Sequence, residues 1–180
     1  MITRAQQRDA QERAAALMDA AGIRLAPGEH QAIAVADFGL GRLEVEGAQI
    51  LTIVETDRIA AKVIALLGGQ TLPEHWHPPV GDDPGKEETL RVIRGPLYLY
   101  TPGPDTLAQG AIPPGKEACY TVRHEQVLDA GDTVTLPPGL PHWFQAGPEG
   151  AVLYSFSTTA RDILDGFTDP DIVRQTVIAE

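Results

Sequence analysis

The sequence predicts a mainly β chain, a single sandwich or barrel led by one helix. Three observations carry this reading. Short β-branched and aromatic runs recur after residue 22, each bounded by Gly, Pro or Asp turn signals. The runs follow one another closely and no linker divides them, so residues 1–180 read as one domain. The one long stretch of helical periodicity lies at the N-terminus, over residues 3–21.

Taken in order, residues 3–21 alternate Ala and Leu with Arg, Gln, Asp and Glu at helical spacing, and Gly22 follows as a C-cap. The expected strands are QAIAVADF, AQILTIVET, AAKVIALLGG, TLPEHWH, TLRVI, LYLYTPG, EQVLDAGDTVTLPPG and GAVLYSFS, which place a β unit over about residues 30–158. AAKVIALL also fits a helical period. From Thr159 onward the tail reads as short helical pieces, ARDILDGF and then DPDIVRQTVIAE.

Composition excludes several classes. The 25 acidic residues exceed the 14 basic ones by 11. A surface of that sign repels phosphate backbones and anionic lipid, so neither nucleic acid nor a membrane surface is an expected partner. Cys119 is the only cysteine, which rules out an internal disulfide and makes a reducing cytoplasm the expected compartment. The N-terminal stretch MITRAQQRDAQERAAALMDAAG has no apolar core of a signal peptide, and no apolar run reaches membrane-spanning length.

The chemistry concentrates in HWHPPVGDDPGKEE, residues 75–88. In a strand, His75 and His77 project to one face and Trp76 to the other. Two imidazoles side by side are poor core filler but a good chelate for one metal ion. The loop PPVGDDPG is rich in turn residues, and a hairpin through it would bring Glu88 back to the histidines. Farther on, GDTVTLPPGLPHWF runs from a strand through a tight turn to His142. His75, His77, Glu88 and His142 together make a three-histidine, one-carboxylate set. It suits Mn²⁺, Fe²⁺, Co²⁺, Ni²⁺ or Zn²⁺ and leaves positions open for a ligand. Asp82 and Asp83 stand as alternative carboxylates. His30 and His124 lack a partner at metal spacing and read as structural or surface residues.

These residues resemble the two short motifs of the cupin superfamily. Gly69, QTLPE, His75-Trp76-His77, then Glu88, TLRVIR and Gly95 match the first motif; Gly131, DTVTL, Pro137-Pro138-Gly139, Leu140-Pro141 and His142 match the second. Two departures are present. The gap from His77 to Glu88 is longer than usual, and Ala146 stands where asparagine is common. The HxH-to-KEE block, the LYLYTPGP strand and the FSTTARDILDGFTDP tail are similar to a subgroup of metal-dependent sugar isomerases built on one cupin barrel. The resemblance implies a single cupin β-barrel or jelly roll, a preference for Mn²⁺, interconversion of D-lyxose and D-xylulose and often of D-mannose and D-fructose, and a homodimer.

Such an isomerase needs a group to steady the enediolate, a base, and a sugar-binding surface. Lys86 shares a face with Glu88 and is the expected catalytic cation. Asp162, Asp165 and Asp169 in the tail are candidate bases, with Asp162 put forward beside Glu88 itself. Tyr98, Tyr100, Trp143 and Phe144 offer flat apolar surface, and Arg94 can bind hydroxyl groups; of these Arg94, Tyr98 and Trp143, with Lys86, are put forward for substrate binding. Two other functions fit the same residues. One is an Fe²⁺ dioxygenase; the other is a non-catalytic sugar-binding module.

Overall fold

The computed structural model describes residues 1–179. In chain order its elements are β1 Ile2–Thr3, α1 Arg4–Ala20, α2 Glu29–Ala32, β2 Ala34–Ala36, β3 Ala48–Glu55, β4 Ile59–Leu66, β5 Thr71–Trp76, β6 Glu88–Arg94, β7 Leu97–Thr101, β8 His124–Leu128, β9 Thr133–Leu136, β10 His142–Ala146, β11 Ala151–Thr158, a 3-10 turn at Asp162–Leu164, β12 Gly166–Phe167 and β13 Ile178–Ala179. A six-stranded sheet in the order β2-β3-β4-β11-β6-β9 faces a five-stranded sheet in the order β12-β5-β10-β7-β8. Their facing sides bury one apolar core that includes Ile64, Leu66, Leu90, Val92, Leu97, Leu99, Phe144 and Leu153. Inward-facing residues alternate with outward-facing ones along the strands, as a period of two requires.

Helix α1 begins with a capping box. Thr3 accepts from the Gln6 amide, and the Gln6 side chain accepts from the Thr3 amide. Ala10, Ala14 and Met18, four residues apart, form its buried stripe. Ala14 and Met18 pack on Leu51, Val63, Ala65 and Val152, the outer face of the six-stranded sheet. The AAKVIALL segment is strand β4, not helix, because it pairs on both sides, with β3 and β11.

The tail departs from the sequence expectation. ARDILDGF yields only the turn at Asp162–Leu164, and Gly166–Phe167 pairs with Trp76 and His75 at the edge of β5. The described part of DPDIVRQTVIAE is not helical either: it runs through a turn and bends to Ile178–Ala179, where Ile178 pairs with Ile2; residue 180 lies outside the described residues. Gly166 and Pro170 interrupt helical hydrogen bonding, and two free strand edges offer backbone partners that a short isolated helix cannot match. The strand edge also accounts for Gly166. A Cβ there would collide with the indole of Trp76. Among the described residues, no helix is long and apolar enough to cross a membrane.

Candidate active site

Three of the four candidate ligands are placed by the five-stranded sheet. His75 on β5 lies directly opposite His142 on β10, so both side chains share one face and their rings sit 4.2 Å apart. The register then slips. His142 pairs with His75 but Phe144 pairs with Leu72, leaving one extra residue on β5. This bulge falls at Pro73, which has no amide to offer the ladder. It turns both Leu72 and His75 inward, where they line the same chamber. Glu74 is thereby turned outward and, though fully buried, accepts hydrogen bonds from the amides of Thr121 and Val122 and the hydroxyls of Thr121 and Thr168. It fastens both the long loop after β7 and the tail to β5.

The expected turn before His142 is present. The Leu140 amide donates to the Pro137 carbonyl, and Gly139 at φ +73° takes the left-handed position of a turn with Pro138 before it. The Gly139 amide also donates to the carbonyl of His77, tying one histidine's turn to the other's strand.

Glu88 arrives by a different route from the one expected. Strands β5 and β6 do not form a hairpin; they belong to opposite sheets. Glu88 opens β6, between Ser157 of β11 and Leu136 of β9, and points across the interior toward the histidines. The loop that crosses between the sheets is pinned at Gly85, where a Cβ would meet the carbonyls of His77 and Pro78 at 2.5 and 2.9 Å. Asp83 accepts from the Gly85 amide and pairs with Arg161, and Asp82 is exposed, so neither belongs to the cluster.

Nitrogen atoms of His75, His77 and His142 and an oxygen of Glu88 lie within 4.8 Å of one another, and all four residues are buried. Hydrogen bonding fixes which ring nitrogens meet. Nδ1 of His75 faces the Pro73 carbonyl at 2.8 Å, Nδ1 of His142 the Leu140 carbonyl at 2.9 Å, and Nδ1 of His77 Oδ1 of Asp165 at 2.9 Å. All three partners are acceptors, so each Nδ1 donates and each Nε2 lone pair is left for the cluster. Nε2 of His142 has no partner among the described residues, and Nε2 of His77 faces Oε2 of Glu88 at 3.2 Å. Converging acceptors without a donor require a proton or a cation between them. The donor set therefore fits a divalent ion.

The electrostatics agree. Burial drives His75 well below the ordinary imidazole range and His142 down to about 4, so both rings are neutral, as ligands must be. Burial also lowers His77, but its hydrogen bonds to Asp165 and Glu88 outweigh this and raise it. Burial works against an ionised Glu88, yet Lys86 and then His77 hold it well below the carboxylate range.

Next to the cluster is a chain of charges. Lys86 Nζ lies 3.8 Å from Oε1 of Glu88 and 3.1 Å from Oδ1 of Asp162. Burial would neutralise Lys86, but Glu88 and Asp162 outweigh it and keep the ammonium above its ordinary range. Oδ2 of Asp162 pairs with Lys62 at 2.5 Å and Arg174 at 3.5 Å. Burial opposes its charge, but Lys86 and Lys62 pull Asp162 down to about 2. Asp162 lines the chamber. Both oxygens are ion-paired, and a carboxylate so acidic binds a proton poorly. Asp165 lines the chamber too, while Asp169 pairs with Lys116 at 2.6 Å away from it.

Apart from Lys86, the residues put forward for sugar binding do not gather at the cluster. Trp143 and Tyr98 are on the outer face of their sheet. There Trp143 stacks on Tyr100, donates to the Val122 carbonyl, and is covered by the loop after β7. Arg94 ends β6, roughly 20 Å along the strand from Glu88, and pairs with Glu149. Alternation along a strand says which residues share a face, not which face looks inward. Phe144 does face the chamber, joined by Phe38, Phe167 and Ile50. Lys62, Ser155 and Arg174 were not expected at the site. Lys62 had a readable signal, as a lone lysine inside the apolar run AAKVIALL. Ser155 and Arg174 had none.

Comparison with known proteins agrees with this barrel. A family model described as cupin matches residues 40–175, and the chain belongs to the cupin family. Within it, the chain is similar to the D-lyxose ketol-isomerase of Cohnella laeviribosi, 54% identical over 172 residues that cover 95% of this chain and 94% of the relative. It is similar also to the D-lyxose/D-mannose isomerase of Thermosediminibacter oceani, 46% identical over 175 residues and 97% of each chain. Among solved structures, the ligand-free L-ribose isomerase of Cellulomonas parahominis superposes with a TM-score of 0.81 over 99% of this chain and 98% of that one. At 18% identity that likeness speaks for the fold alone.

Proposed function

We propose that this chain is a metal-dependent aldose–ketose isomerase that interconverts D-lyxose and D-xylulose, with D-mannose and D-fructose as the six-carbon pair. The observation that carries the reading is a set of four converging acceptors beside a lysine that Glu88 and Asp162 hold charged, with His75, Glu88 and Lys86 lining one chamber. Relatives named for the same reaction, alike over nearly their full length, support it. His75, His77, Glu88 and His142 would hold the ion. Mn²⁺ is our assignment, and Co²⁺, Fe²⁺, Ni²⁺ and Zn²⁺ suit the same donors. A cytoplasmic homodimer is part of the same proposal.

When bound, the ion would act as a Lewis acid toward the oxygens on C1 and C2 of the open-chain sugar. Lys86 presents fixed positive charge where negative charge develops on those oxygens, and can pass a proton to one of them. Moving the proton between C2 and C1 needs a carboxylate with an available oxygen. Glu88 is engaged by Ser155 and Lys86 at Oε1 and by His77 at Oε2. Asp162 is engaged at both oxygens. Among the described residues Asp165 is tied to His77 through Oδ1 alone, and we assign the proton transfer to it. Phe38, Phe144 and Phe167 keep water from the reacting carbons.

Metal-stripped protein given back Mn²⁺ should convert D-lyxose to D-xylulose, and should be idle without it. Failure on both D-lyxose and D-mannose, with ion bound and fold intact, would overturn the reading; oxygen uptake with Fe²⁺ would put a dioxygenase in its place. A second result follows from the hydrogen bond that orients His77. Asp165→Asn should weaken ion binding by about 10- to 100-fold, measured by titration against a competing chelator.

A further inference from the structure

The chamber has one thin wall. Ile50, Lys62, Asp162 and Arg174 line both the chamber, about 40 Å³, and an open basin of about 640 Å³ on the far side. Asp162 joins the two sides. Its Oδ1 accepts from Lys86 on the chamber side, and its Oδ2 pairs with Lys62 and Arg174. The Arg174 guanidinium rests over the Phe38 ring at 5.7 Å, and the neighbouring Val173 amide donates to the Phe38 carbonyl. A chamber of this size holds only a few waters, at roughly 10–15 Å³ each by this measure. A sugar that fills it therefore meets the wall.

With the reacting carbons of an aldose at Lys86 and Glu88, the wall starts beside them at Asp162 and ends at Arg174, so the rest of the chain runs along it. A five-carbon and a six-carbon aldose are alike at the reacting end and differ in length at the other. We infer that Arg174 is a specificity-determining residue: it closes the wall between the chamber and the open basin, and so sets the preference between pentose and hexose. This rests on the isomerase reading for its substrates. Arg174 is the member of the wall whose loss opens it without disarming the site, since Asp162 keeps Lys62 and Lys86.

The test uses ion-loaded wild type, Arg174→Ala and Arg174→Met. The methionine keeps an apolar stem over Phe38, so it carries the test if the alanine variant folds poorly. Two ratios are read: kcat/KM for D-mannose over D-lyxose, and, by calorimetry, the affinity for D-mannitol over D-arabinitol. Opening the wall should raise the six-carbon to five-carbon ratio about tenfold in Arg174→Ala, mostly through KM, and less in Arg174→Met. The polyol ratio should move in the same direction. Ratios equal to those of the wild type would overturn the inference. If the wild type turns over neither sugar, the isomerase reading falls and the polyol ratio decides alone: a rise upholds the wall and no change removes it.

Discussion

Glu88→Gln is expected to lower kcat/KM by about 10³-fold, equivalent to roughly 4 kcal/mol, with a matching loss of bound ion. Glu88 is the one anion among the four candidate ligands. An amide keeps the volume but removes the charge, and its NH₂ group presents a donor where an ion needs a lone pair. The substitution should also lower stability with and without the ion. In ion-free protein Nε2 of His77 and Oε2 of Glu88 share a hydrogen bond at 3.2 Å, and Oε1 of Glu88 is also a partner of Lys86, so the neutral amide weakens both contacts and the melting temperature should fall. In ion-loaded protein the stabilisation that comes with binding is lost as well. Metal content, initial rates and melting curves with and without Mn²⁺ check this together. A variant that keeps a full equivalent of ion and a tenth or more of the rate would remove Glu88 from the ligand set.

The four candidate ligands were legible because their signals are local. The i, i+2 spacing of His75 and His77 needs only a strand, and the Pro137-Pro138-Gly139 turn needs only its own residues. What joined them was not local. Glu88 was expected near the histidines through a hairpin and instead reaches them from the opposite sheet. The bulge at Pro73, which turns both Leu72 and His75 inward, depends on pairing with β10. Trp143 and Tyr98 went to the outer face because the loop after β7 folds back to cover them. The tail was read as helical because its apolar spacing allows it, but Gly166–Phe167 finds an open strand edge on β5. Asp162 was put forward as a base from its place in the tail, and its ion pairs could not be read there. Three cations from separate parts of the chain, Lys62, Lys86 and Arg174, pair with its carboxylate.

Lys86→Met is expected to lower kcat by about 10²- to 10³-fold, the loss measured when one preorganised donor is taken from a developing oxyanion, with a smaller change in KM. The ammonium is held charged by Glu88 and Asp162 against its burial, so it meets the developing negative charge without reorganising. Methionine fills similar space with no charge. Removing one partner of a buried ion pair often costs roughly 3–5 kcal/mol. Here the cost should be smaller, because Asp162 retains Lys62 and Arg174. A bound ion would also compensate Glu88. The melting temperature of ion-loaded Lys86→Met should therefore stay near that of wild type while its rate collapses. If Lys86 acted only by positioning Asp162, then Asp162→Asn would cost as much in kcat as Lys86→Met, and the double variant no more than either. Direct action at the substrate oxygen predicts a much smaller loss for Asp162→Asn, with Lys86→Met dominating the double variant. That ordering of three rates separates a lysine that stabilises the transition state from one that only holds its neighbour in place.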